Sequence, residues 1–193
     1  MRLLAFVFIN VFSLQLFSQS PIMQPSISPD GNQLAFSFQG DIWISDISAN
    51  NAKRLTIHEA YESNPVWSND GQHIVFSSDR FGSDDLFKTT IQGGTPQRLT
   101  YHSASDNPFS TTSDGDILFT TSRNYRQVER EAEIYVLEKG ASTEKRFLDA
   151  LGFDPVSSPD GNKIAFVRGT CRIAREAYNG PANRDVWIFD KTT

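Results

Sequence analysis

Cysteine is nearly absent from these 193 residues, Cys171 standing alone, so no internal disulfide can brace the fold. A lone cysteine with no histidine beside it reads as a small buried apolar residue rather than a nucleophile. Histidine is as scarce. Of His58, His73 and His102, only His58-Glu59 opens a zinc-protease pattern, and the position that should carry the second ligand is Glu62. No metal site and no cofactor is expected. The chain has no Gly-x-Ser-x-Gly elbow, and no residue is assigned a catalytic role. Positive charge is not in excess: 18 Lys and Arg face 23 Asp and Glu, for a net charge of −5. That balance argues against nucleic acid or an anionic membrane as partner. Long apolar runs are missing apart from Leu3 to Phe17, which Asn10, Ser13 and Gln15 interrupt; it is too short and broken to span a bilayer.

What is present at the N-terminus fits an export signal. Arg2 precedes the apolar run, and Ser18 and Ser20 supply the small residues of a cleavage site after Ser20. Residues 1–20 are therefore expected to be a signal peptide, and the mature protein to be periplasmic or extracellular, starting near Pro21 and leaving the membrane after cleavage.

The rest of the chain, residues 21–193, is a repeat. SPDGNQLAF at Ser28 to Phe36 returns as SPDGNKIAF at Ser158 to Phe166, and SNDG and TSDG stand between them. The repeat aspartates Asp30, Asp70, Asp114 and Asp160 are 40, 44 and 46 residues apart. A proline precedes each (Pro25, Pro65, Pro108, Pro155), and an apolar pair follows each, such as Leu34 and Phe36. Then comes an acid, an aliphatic and an aromatic: Asp41-Ile42-Trp43, Asp85-Leu86-Phe87, Glu133-Ile134-Tyr135 and Asp185-Val186-Trp187. Arg-Leu-Thr closes the first two units at Arg54 and Arg98, with Arg146-Phe147-Leu148 as a degenerate third. Each unit predicts four short strands, a to d, with an Asp-Gly turn between a and b. The turn geometry accounts for the aspartates without any chemistry. An all-β propeller follows, with blades over 25–56, 65–100, 108–148 and 155–193, the fourth incomplete.

The units lack the Gly-His and Trp-Asp marks of WD40 repeats. PVWSNDGQHIVFSSDRFGSDDLF, Pro65 to Phe87, resembles the WD40-like repeats of the TolB type. CRIAREAYNGPANRDVW, Cys171 to Trp187, resembles the fourth-blade region of the N-terminal propeller of tricorn-type proteases. That resemblance implies a large serine peptidase in which a six-bladed and a seven-bladed propeller precede a PDZ domain and the catalytic domain. The four blades here would then be part of a six-bladed ring that guides or filters peptides, with the catalytic residues in a domain beyond residue 193. The repeats alone fit equally a TolB-like binding scaffold without an enzyme, or the propeller of a prolyl-oligopeptidase-type enzyme.

The b–c connection lengthens along the chain, from Gln39-Gly40 to SDRFGSD, then SRNYRQVEREA and GTCRIAREAYNGPANR. In a propeller the b–c and d–a connections share one face, so the two long ones should meet there. Loops on a rigid scaffold carry binding, and arginine grips carboxylates bidentately. The candidate peptide- or domain-contacting residues are Arg123, Tyr125, Arg126, Arg130, Arg172, Arg175, Tyr178 and Arg184. The partners they imply are peptides or other domains of the same polypeptide. The alternative is that these arginines pair with Glu129, Glu131 and Glu176 and merely clip the loops together.

Overall fold

The computed structural model describes residues 21–123, 132–169 and 184–192. Blade one holds β1 (Met23–Ile27), β2 (Gln33–Phe38), β3 (Asp41–Asp46) and β4 (Lys53–Arg54). Blade two holds β5 (Glu62–Trp67), β6 (His73–Ser78), β7 (Asp85–Thr90) and β8 (Gln97–Arg98). Blade three holds β9 (Asn107–Thr111), β10 (Ile117–Thr121), β11 (Glu133–Leu137) and β12 (Lys145–Leu151). Blade four, among the described residues, holds β13 (Phe153–Ser157), β14 (Lys163–Arg168) and β15 (Asp185–Asp190). Within every sheet, chain order equals strand order and all pairs are antiparallel. This is the meander of a propeller blade, with four strands in each of three sheets and, among the described residues, three in the fourth.

The Asp-Gly phrase makes the first hairpin. The Gly31 N–H donates to the Ser28 carbonyl at 2.9 Å, and the Ser28 N–H to the Gln33 carbonyl at 2.9 Å. Gly31 sits at φ 75°, in the left-handed region that closes a type I turn with a bulge. Gly71, Gly115 and Gly161 repeat that conformation. The two-residue b–c turn of blade one works differently. Gln39 and Gly40 have φ 52° and 84°, the pair of positive values that matches the twist of a tight hairpin, and Phe38 pairs with Asp41.

Period-2 alternation decides which neighbouring blade a side chain meets. In blade two, Ile74, Phe76 and Phe87 pack with Ala35, Ile42, Ile44 and Leu55 of blade one. The residues between them, Val75 and Leu86, pack with Ile117, Phe119, Tyr135 and Leu137 of blade three. Leu118, Val136 and Ile134 repeat the arrangement toward Ile164 and Phe166 of blade four. The core is thus a series of sheet-on-sheet layers between blades, and each strand b is apolar on both faces for that reason. Burial of this kind contributes about 1.5–3 kcal/mol per large side chain. The face of β15 turned away from blade three stands open, with Val186 at 73% and Ile188 at 65% exposure.

The Arg-Leu-Thr phrase has one job per residue. Leu55 enters the core between blades one and two. The Thr56 hydroxyl accepts the Ile42 N–H at 3.0 Å, and the Thr100 hydroxyl accepts the Leu86 N–H at 2.9 Å, so each threonine satisfies the first residues of strand c. The Arg54 guanidinium donates to Asp41 at 2.6 Å and Arg98 to Asp85 at 2.6 Å. The acid that opens strand c is therefore held by the arginine of strand d. In blade three Arg146 lies 3.5 Å from Glu133, and Leu148 replaces the threonine and joins the core instead.

Candidate functional site

The first strands of successive blades pack on one another, β1 on β5, β5 on β9 and β9 on β13. Strand a is therefore innermost in each blade and lines the propeller axis. Its outer edge pairs with strand b, and its inner edge has no strand partner among the described residues. The blades are instead stitched across the axis by single bonds. The Trp67 indole N–H donates to the Ser26 carbonyl at 2.9 Å, the Thr111 hydroxyl to the Trp67 carbonyl at 2.9 Å, and the Ser110 hydroxyl to the Pro155 carbonyl at 2.9 Å.

Each strand a carries a bulge near its start, where its register with strand b shifts. In blades one, two and four the residue before the repeat proline takes a positive φ: Gln24 50°, Asn64 53° and Asp154 54°. Proline disfavours helical backbone in the residue before it, and positive φ is strained for a side chain other than glycine. Asn107 holds the equivalent pre-proline place in blade three. Strand a starts ahead of its proline in every blade, where the sequence pattern placed the strand start at the proline itself.

Connections b–c and d–a do share a face. The Tyr61 N–H donates to Asp79 at 2.8 Å, the Asp106 N–H to the Asp84 carbonyl at 2.7 Å, and the Gly152 N–H to the Ala132 carbonyl at 2.8 Å. This loop face contains a second set of buried ion pairs. Glu62 is fully buried and takes the Arg80 guanidinium. Asp106 is fully buried and takes Arg123, 2.5 Å from Nη2, and the same guanidinium reaches Glu144. Burial pushes the Asp106 carboxyl above its ordinary range despite Arg123, and Asp85 likewise despite Arg98.

Of the eight candidate contact residues, Arg123 and Arg184 are described. The Arg123 side chain is 7% exposed and committed to Asp106 and Glu144, with its guanidinium 5.2 Å from the Tyr135 ring centre. It anchors the root of its loop. Arg184 stands 4.6 Å over the Phe153 ring, and its charge acts on the neighbouring Asp154. The two are not in contact. Tyr125, Arg126, Arg130, Arg172, Arg175 and Tyr178 lie outside the described residues, as does Cys171. His58 and His102 serve turns: their Nδ1 atoms accept the Ala60 and Ala104 N–H groups, each at 2.9 Å. The sequence pattern missed the axial residues Gln24, Asn64, Asn107 and Asp154. The available signal was an amide or acid directly before every repeat proline.

A family model described as the tricorn protease N-terminal beta propeller domain matches residues 19–193. A Protein TolB homolog of Chlorobium chlorochromatii is 33% identical over 149 residues, covering 71% of this chain and 31% of that one. Tricorn protease homolog 1 of Streptomyces coelicolor is 26% identical over 117 residues, covering 60% of this chain and 11% of that one. The crystal structure of TolB from Acinetobacter baumannii shares the fold at a TM-score of 0.69 and 24% identity, over 90% of this chain and 42% of that one. This chain spans about half or less of the length of the curated relatives it matches.

Proposed function

Because the chain belongs to the tricorn protease N-terminal β-propeller family, we propose that it is the non-catalytic propeller of an exported tricorn-like serine peptidase, guiding or filtering peptides for a catalytic domain elsewhere in the polypeptide. The observation that carries this reading is the family match, which runs through all four blades. The loop face supports it. Among the described residues its connections are held by buried ion pairs such as Arg123 with Asp106, a rigid base of the kind on which binding surfaces usually stand. On this reading Tyr125, Arg126, Arg130, Arg172, Arg175, Tyr178 and Arg184 contact the peptide or a neighbouring domain, and residues 1–20 direct export.

The experiment uses the intact protein recovered from the exported fraction, with its N-terminus expected near Pro21. Alanine at Arg126, Arg130, Arg175 and Tyr178 together is expected to lower peptide turnover or assembly severalfold. Unchanged turnover and unchanged assembly would overturn the contact surface, and a protein retaining Met1 would overturn the export. A second reading, a TolB-like protein-binding scaffold with no enzymatic domain, is favoured by the 33% identity to the TolB homolog. The gene downstream separates the two: a PDZ and serine-peptidase region supports the first, and a stop after six or seven blades the second.

A further inference from the structure

The axial residues of blades one to three are joined in a polar arc, and Asp154 holds the equivalent pre-proline place in blade four. The Asn64 N–H donates to Gln24 Oε1 at 3.1 Å. A backbone N–H can only donate, so the Gln24 carboxamide must present its oxygen to blade two and its NH₂ elsewhere. Asn64 Nδ2 donates to Asn107 Oδ1 at 3.1 Å and to Ser63 Oγ at 3.3 Å, an arrangement that leaves the Asn107 NH₂ turned away. Among the described residues, Gln24 Nε2, Asn64 Oδ1, Asn107 Nδ2 and the Asp154 carboxylate make no hydrogen bond. Taken blade by blade, the unused groups run donor, acceptor, donor, acceptor.

We infer that Gln24, Asn64, Asn107 and Asp154 form a ladder at the loop-face mouth of the axial channel that binds the backbone of an extended polypeptide. An extended chain offers alternating N–H and C=O groups along its length, and the arc offers the complementary series. Recognition through backbone groups is independent of side-chain sequence, which suits a channel that handles many peptides. The strained backbone fits the same role. Three of the four residues hold positive φ, and residues kept in such conformations concentrate at ligand clamps. The inference rests on the peptide-guiding reading above.

Glycine separates the side chain from the backbone at these positions, because it accepts positive φ without strain. In the intact protein, Gln24→Gly with Asn64→Gly should weaken binding of fluorescent, end-capped peptides of unrelated sequence. The expected loss is about tenfold in Kd, what two neutral hydrogen bonds contribute, and it should be similar for every peptide. KM for peptide turnover should rise by a like factor with kcat unchanged. Gln24→Gly alone removes one rung together with one bond between blades one and two, so it should give a smaller loss of affinity, read beside its melting temperature. Unchanged Kd with a lowered melting temperature would show that the ladder only staples blades together, and would overturn the inference while leaving the peptide-guiding reading standing. A loss confined to one peptide sequence would overturn it as well. Wild-type protein that neither binds nor turns over any peptide would overturn the peptide-guiding reading and the ladder with it.

Discussion

The two faces of the propeller use aspartate in opposite ways. On the turn face, Asp30, Asp70 and Asp160 are exposed and bonded locally. Each accepts the hydroxyl of the serine two residues before it, at 2.6, 2.6 and 2.5 Å, and the N–H two residues after it. The serine hydroxyl, then the groups two residues on, hold these carboxyls below the ordinary carboxylate range. On the loop face, Asp85 and Asp106 are fully buried, their partners are distant in sequence, and burial pushes them up. A residue type repeated at fixed spacing is thus a local turn device on one side and a long-range clamp on the other. Neither is chemistry, but only the clamp couples separate connections.

That difference predicts unequal costs. Arg123→Met keeps most of the side-chain volume and strips Asp106 of its cation. Breaking a buried pair by removing one partner costs about 3–5 kcal/mol, and Asp106 has no solvent to replace Arg123. The urea unfolding midpoint should fall accordingly. A loss below about 1 kcal/mol would place this pair with exposed ion pairs and end the contrast between the faces. Combining Arg123→Met with Asp106→Asn should recover part of the loss, since the fully buried charge is then gone and only the partly exposed Glu144 is left without its arginine.

Glycine makes the same contrast by packing. On the loop face, a Cβ at Gly152 would stand 2.9 Å from the Val167 carbonyl and 2.7 Å from the Phe166 ring. Backbone must move to admit it, and overpacking of this kind costs about 1–3 kcal/mol. On the turn face, a Cβ at Gly31 meets nothing within 4 Å, so Gly31→Ala carries only the left-handed backbone term, about 1 kcal/mol. Thermal unfolding of Gly152→Ala and Gly31→Ala checks the order. Equal shifts would mean that the loop face yields as easily as a surface turn.

Much of the fold was legible in the sequence because its signals are local. Strand b of blades one, two and four coincides with its apolar run, and the Asp-Gly hairpins form where Ser, Asp and Gly recur. What the Arg-Leu-Thr phrase does was less visible, because its partner acid sits 13 residues earlier, at Asp41 for Arg54 and Asp85 for Arg98. Arg123 illustrates the limit for a site. Read as the first of a cluster of loop arginines, it belongs equally to a repeat position, four residues after Phe119 as Arg80 is four after Phe76. Both arginines turn back onto a buried acid. The axial residues escaped notice for a related reason: Gln24, Asn64, Asn107 and Asp154 share a position but not a residue type, and only the closing of the blades around an axis brings them together.

The smallest effect, and the most direct test of the two faces, is in the pH dependence. For Asp106 the folded pKa lies above the ordinary 3.8, so between 3.8 and the raised value the folded state binds more protons than the unfolded state. Wild-type stability attributable to this group therefore falls as pH rises through that window. Asp106→Asn cannot titrate, so its deficit against wild type should shrink as pH rises from about 4 toward neutrality. For Asp30 the folded pKa lies below 3.8. Its contribution is fully present above 3.8 and is lost as pH falls through the folded value, so the deficit of Asp30→Asn should be constant at neutral pH and shrink on acidification. Urea midpoints of both variants and wild type, measured between about pH 3 and 7, give two difference curves of opposite slope. Parallel curves would show that the Arg123 charge outweighs burial at Asp106, and the distinction between turn device and clamp would then rest on packing and partner distance alone.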